Sequence, residues 1–254
     1  MKKIQNNLIA VLLLAGAIVT FTQCSKENIA STSDQAVPAM KVSSADAELN
    51  GIDESETVTA TGTVNPMYSC INSFPVEPLS EDEINAINTM REEELLAKDI
   101  YTSMYALYHM PVFNNISKSE NQHTGAIKVL MDKYDLPDLA ANHETGIFVN
   151  PDIQNLYNTL LAQGTVSLNG GLTVGATIED LDIQDLVNHI ANDVDNADIL
   201  FVFNELQRGS RNHLRSFYKL LKIRGITYVP QFITVAYFEE IINSPHEIGS
   251  GCPN

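Results

Sequence analysis

The stretch REEELLAKDIY, Arg91 to Tyr101, constrains the fold more than any other part of the chain. It lies in a run where Ile87, Met90, Ala97, Tyr101, Met104 and Tyr108 recur at alternating helical steps, which makes a buried seam on a long helix. Glu94 falls on that seam between Met90 and Ala97. A carboxylate on a core position is costly unless it is paired or binds a metal. Glu94 must therefore face polar groups brought from elsewhere.

Three further segments repeat the pattern. After a first helix capped by Ser80 and Glu83 and running to about Leu107, Pro111 opens a second that reaches about Tyr134. Its seam is Ile116, Glu120, His123, Ile127, Leu130 and Tyr134. A third spans about Gly171 to Asn192, with the seam Leu172, Ala176, Glu179, Ile183, Leu186 and Ile190, and Asp182 one turn beyond Glu179. A fourth spans about Ala197 to Ile223, with Ile199, Phe203, Leu206, Ser210, His213, Phe217 and Leu220 on its seam. A long connection between the second and third holds a short helix, about Asp152 to Gln163. The expected fold is all-α: an up-down four-helix bundle with one long crossover and a short C-terminal helix.

Each long helix thus carries a polar group on its core face near mid-length. Carboxylates with E-x-x-H spacing are what a di-metal site inside a bundle requires, because residues at i and i+3 share a face and can reach one ion. In the second hairpin, Glu179 is 16 residues before a turn near 195 and His213 is 18 after it. That offset is about 3 Å, so the two are level. In the first hairpin, with a turn near 109, Glu94 is 15 before and Glu120 is 11 after. The offset of about 6 Å makes this the looser half.

The series Glu94-x-x-Ala97-x-x-x-Tyr101, Glu120-x-x-His123, a lone Glu179 and a last His213 resembles the ferritin-like superfamily, nearest to rubrerythrin-type bundles. The runs REEELLAKDIY, ISKSENQH, GATIEDLDIQDL and LQRGSRNHLRSF resemble more closely the ferritin-like bacterial group called domain of unknown function 2202, over about residues 79 to 235. The resemblance implies a carboxylate-bridged di-iron centre that reacts with dioxygen or peroxide. Glu94 would be a terminal ligand and Glu120 a bridge. His123 would bind one metal and His213 the other, and Glu179 would be the second bridging or terminal carboxylate. Tyr101 would hydrogen-bond a ligand carboxylate. One position departs from the pattern: the fourth helix reads Ser210-Arg211-Asn212-His213 where E-x-x-H is expected. Either Asp182 supplies the lost oxygen, or the second metal binds weakly or not at all. Iron is expected, as two ions or one, and zinc or manganese also fit the donors.

The first 23 residues combine Lys2 and Lys3 with an apolar run from Leu8 to about Phe21, a secretory signal too short for a membrane span. The run ends at Cys24 and resembles a lipoprotein signal, which implies acylation there and an outer-membrane anchor facing the periplasm or the cell surface. Residues 24–66 read as a disordered tether, 67–78 as a strap, 79–224 as the bundle and 225–254 as a tail packed on it. Cys70 and Cys252 remain as an even pair in an exported chain, and a disulfide between them is expected. The formal net charge of −17 repels phosphate backbones, so nucleic acid is excluded as a partner. A homodimer is compatible with the sequence. No cysteine pairs of a rubredoxin-like iron domain occur, so any redox activity needs a separate electron donor.

Glu92 and Glu93 are expected on a solvated face, and Asp99 paired to a neighbouring helix or an arginine. Arg208 and Arg211 either neutralise the site or lie at the surface. His189 is expected to be packed or at the surface, and His109, His143 and His246 exposed. Asn115 begins a weak glycosylation triplet. Two functions follow: an oxidoreductase acting on ferrous iron, dioxygen or peroxide, or a non-catalytic bundle of the cell envelope that binds a metal or a partner.

Overall fold

The computed structural model describes residues 66–249, 251 and 252. The expected signal peptide, Cys24 and all of the expected tether but its last residue lie outside the described residues. Seven helices follow in order: α1 (Pro66–Ser73), α2 (Glu81–Tyr108), α3 (Pro111–Lys133), α4 (Pro151–Gly164), α5 (Leu168–Asn192), α6 (Ala197–Ile223) and α7 (Val235–Asn243). The described residues contain no strand, and the fold is all-α. Among them no helix is long and apolar enough to cross a membrane.

The four long helices pair as α2 with α3 and α5 with α6, and the pairs meet through α3 against α6 and α2 against α5. Local chemistry sets their ends. Ser80 and Glu83 form a reciprocal capping box at the start of α2. His109 takes a left-handed conformation (φ 51°) and Pro111 restarts the chain at once, which folds α3 back along α2. Glu83 also accepts from the backbone N–H groups of Asp195 and Asn196, at 3.3 and 3.0 Å. Its carboxylate therefore sits at the N-terminus of α6, where negative charge is favoured.

The seams become the core. Tyr101, Met104, Phe113, Leu172 and Phe217 belong to one buried apolar cluster, and Ile87, Met90, Ile127, Leu130, Leu186 and Phe203 to a second. The polar residues on the same seams lie between these stretches along each helix. Burial of either cluster fixes helix rotation, so it also aims the polar groups inward.

The structure adds detail to one expectation and corrects others. The strap is helical at its start: α1 packs on α3 and α6 and buries Cys70 and Ile71. α5 begins three residues earlier than its glycines suggest, because Ser167 caps it by accepting from the Gly170 N–H. Glu92 and Glu93 are not solvated but buried, at 8% and 2% exposure. The reason is non-local. The crossover and α4 cover the outer face of α2, where Glu92 accepts from the Asn150 N–H, and α5 covers the flank that carries Glu93. The same crossover buries His143. Its Nε2 is 2.7 Å from Asp99, which also accepts from the Gly146 N–H.

The tail is tied down by carboxylates. Buried Asp180 accepts from the Tyr228 hydroxyl and from the N–H groups of Gln231, Phe232 and Ile233. Further on, Arg211 and Arg215 of α6 both donate to Glu247. Cys70 and Cys252 are joined by a disulfide across a sequence separation of 182.

Candidate metal centre

The antiparallel pair α2–α3 places His123 opposite Glu94, because they stand 14 and 15 residues from the turn near 109. His123 Nδ1 lies 3.1 Å from Glu94 Oε2 and 2.7 Å from Glu120 Oε2. The half expected to be looser is closed by the histidine, one turn beyond Glu120. Across the centre, His213 Nδ1 from α6 is 2.9 Å from Glu120 Oε1 and 3.5 Å from Glu179 Oε2. The two imidazoles stack with centroids 5.6 Å apart. Two clusters of donor atoms able to hold a metal result: Glu94, Glu120 and His123, and Glu120, Glu179 and His213. Glu120 belongs to both, offering one oxygen to each histidine.

Neighbouring groups orient these side chains. The Tyr101 hydroxyl donates to Glu179 Oε1 at 2.5 Å, which leaves Oε2 turned toward His213. Ser119, one residue before Glu120, places its hydroxyl 3.1 Å from His213 Nε2 and so keeps Nδ1 facing the carboxylates. Gly209 lies against the His123 ring, where a Cβ would come within 2.6 Å of Cε1. Sequence reasoning found neither Ser119 nor Gly209. Ser210 is buried but donates to the Leu206 carbonyl of its own helix, so it contributes nothing inward. Asp182 is buried near the centre but outside both clusters. Arg208 and Arg211 do not neutralise the site: they pair with Glu205 and Glu247. His189 is half-buried and pairs with Asp193, while His109 and His246 are exposed.

The side chains of the centre supply little positive charge of their own. Burial raises Glu94 to about 8 although His123 pulls the other way. Glu179 is raised by burial against the pull of His213. Burial, and then the charges of Glu179, Glu94, Glu93 and Glu120, push Asp182 well above the carboxylate range. Only Glu120 is depressed: burial opposes this, but the imidazoles of His213 and His123 win. Burial lowers the histidines, yet their carboxylate neighbours raise His213 to about 10 and His123 well above its usual value. Protons thus hold the place of positive charge.

The donor set fits metal ions. Glu94 Oε1, Glu120 Oε1, Glu179 Oε2 and His213 Nδ1 are buried without a hydrogen-bond partner in the protein. Glu120 Oε1 and His213 Nδ1 lie 2.9 Å apart, an ion pair when His213 is protonated and two donors facing one place when it is not. Buried polar atoms ordinarily find partners, so the unpartnered oxygens of Glu94 and Glu179 beside this pair call for a ligand.

Fold and site together define an all-helical protein with buried carboxylate–histidine clusters able to hold a metal. The chain belongs to the family described as "Uncharacterized protein domain (DUF2202)", which matches residues 83–245 and so takes in both clusters. An uncharacterized protein of Methanocaldococcus jannaschii is 45% identical over 183 residues, 72% of this chain and 98% of that protein. The crystal structure of a hypothetical protein from Methanococcus jannaschii DSM 2661 superposes with a TM-score of 0.67 at 46% identity, covering 69% of this chain and 99% of that one.

Proposed function

We propose that this is an exported, lipid-anchored metalloprotein with a ferritin-like four-helix bundle, whose centre holds two iron ions bridged by Glu120, and that it is an oxidoreductase acting on ferrous iron, dioxygen or peroxide. The observation that carries this reading is the sharing of Glu120 between two clusters in which Glu94 Oε1 and Glu179 Oε2 are buried without a hydrogen-bond partner. Glu94 and His123 would hold one ion, and Glu179 and His213 the other. When bound, iron supplies the electrons and Lewis acidity that the side chains lack. The protein's own part is to fix the ligands and exclude bulk water. Tyr101 and Ser119 hold Glu179 and His213 in place, and the apolar clusters close over the centre. The Cys70–Cys252 disulfide and the secretory signal support export to an oxidising compartment. The acylated Cys24 supplies the anchor.

Elemental analysis after anaerobic reconstitution with ferrous iron tests the centre. About two irons per chain, falling below about one in Glu120→Ala, is the expected result, because the bridge serves both ions. No specific metal in the native chain overturns it. Loading must also displace protons from His123, His213 and Glu94, so protons are released at neutral pH, and uptake weakens as pH falls. Titration in weak buffer measures this release. The turning of Ser210 onto its own helix favours a second reading, a non-catalytic bundle with one ion. In that case about one metal binds per chain, and the loaded protein does not turn over peroxide or ferrous iron.

A further inference from the structure

One group of buried charges has no part in either cluster. Glu93 is 2% exposed, and neither of its oxygens has a hydrogen-bond partner. The charges acting on it are Asp185 and Glu94, both acidic. Asp185 Oδ2 is likewise buried and without a partner. Asp182 is 3% exposed and feels Glu93 and Glu94 as well as Glu179. An unpaired buried carboxylate costs several kcal/mol in an ordinary core. Here two helices, α2 and α5, bring several together.

These groups form a line. On α5, Glu179, Asp182, Asp185 and His189 follow at helical steps of three or four on one face, and Asp193, the residue that caps the end of α5, continues the line four residues on. Their exposure grows outward. Glu179 is fully enclosed and Asp182 nearly so, Asp185 is half-buried, and the side chains of His189 and Asp193 are 18% and 33% exposed. His189 acts electrostatically on Asp185 and bonds to Asp193 at 2.7 Å. The line therefore runs from the surface near the α5–α6 turn to the Glu179 cluster, with Glu93 flanking it from α2.

We propose that Glu93, Asp182 and Asp185 form a transit site for a hydrated divalent cation, on a path that leads from Asp193 and His189 to the two clusters. The proposal rests on the reading of those clusters as a metal centre. An all-oxygen, all-carboxylate set selects a hard divalent cation. The three do not form a tight cluster like those of the centre. The cation is accordingly held through part of its own water shell, as carboxylates commonly hold small divalent ions. Glu93 and Asp185 receive it, and it then sheds water on reaching the histidines. This also assigns Asp182 a role different from replacing the carboxylate missing at Ser210.

The test is the rate of cobalt(II) uptake by the full chain, followed by stopped-flow absorption at low and moderate ionic strength. The paired variant Glu93→Gln/Asp185→Asn is expected to load about tenfold more slowly at low salt, with a weaker salt dependence and the same final occupancy. Asp132→Asn, a surface carboxylate-to-amide substitution that matches Asp185→Asn in charge, leaves the rate unchanged. If the pair does not fold, Asp185→Asn alone carries the test, with slowing of about threefold. Equal rates in native and variant chains, or equal slowing in the Asp132 control, overturn the route while leaving the centre intact. Failure of the native chain to take up cobalt overturns the centre and the route with it. A purely structural role for Glu93 would change thermal stability and leave the loading rate unmoved.

Discussion

At Gly209 a missing methyl group decides where the His123 ring can lie. A Cβ there would stand 2.6 Å from Cε1 and 2.7 Å from Nε2, with helix backbone on one side and a close-packed imidazole on the other. Gly209→Ala should therefore push His123 away from Glu94 and Glu120. Overpacking of this kind costs about 1–3 kcal/mol, offset by less than about 1 kcal/mol of helix propensity. The expected result is a lower denaturation midpoint and loss of metal from the His123 side, leaving about one ion per chain. Native occupancy in the variant would show that the ring is not held by this contact. Glu94, Glu120, His123, Glu179 and His213 were legible because each interrupts an apolar seam, and that signal is local. Ser119 and Gly209 lie just off the seams and act on rings that belong to the opposing helix, so nothing in their own segments marks them. Glu93 was misread for the same reason: its burial comes from α5, far away in sequence.

Between elements, the carboxylates do the fastening. The loop and tail segments that cover α2 and α6 have weak apolar periodicity, and the sequence did not reveal what they grip. Asp180 gathers three consecutive backbone donors from residues 231–233, and Asp99 holds the crossover through His143 and Gly146. Helix ends were clearer, since Ser80, Pro111 and the span Ala197–Ile223 follow local capping and periodicity rules. Glu247 offers a test of the fastenings. Burial would raise its carboxyl, but Arg211 and Arg215 hold it down at about 2. A depressed acid contributes stability that is full above its unfolded value of about 4.5 and is lost as pH falls toward about 2. The end of the tail should thus loosen from α6 across that window while α2, α3 and α5 remain folded. Hydrogen exchange of residues 244–249 reads this directly. In Glu247→Gln the acid dependence of their protection should flatten, and an unchanged profile would place the titrating group elsewhere.

At the scale of the whole molecule, the disulfide closes a very long loop. Cys70 lies on α1, before the four long helices begin, and Cys252 follows the last helix, so the bond encloses nearly every described residue. Closing a loop with a separation of 182 removes unfolded-state entropy worth up to about 5 kcal/mol, and native strain or residual structure reduces that figure. The bond is also remote in function: Cys70 packs beside Ile71 in the α1–α3–α6 region, and neither cysteine contributes to the carboxylate–histidine clusters. Replacing both cysteines by serine should therefore lower the melting temperature by about 10 °C, since a domain of this size shifts about 2–4 °C per kcal/mol. Metal content at room temperature should not change, because α2, α3, α5 and α6 position every ligand without help from the tail. Differential scanning calorimetry and elemental analysis of the same preparation separate the two effects. Loss of metal together with loss of stability would mean that the tail and α1 help to hold the ligand helices in register. A melting temperature equal to that of the native chain would mean that Asp180 and Glu247 alone keep the ends in place.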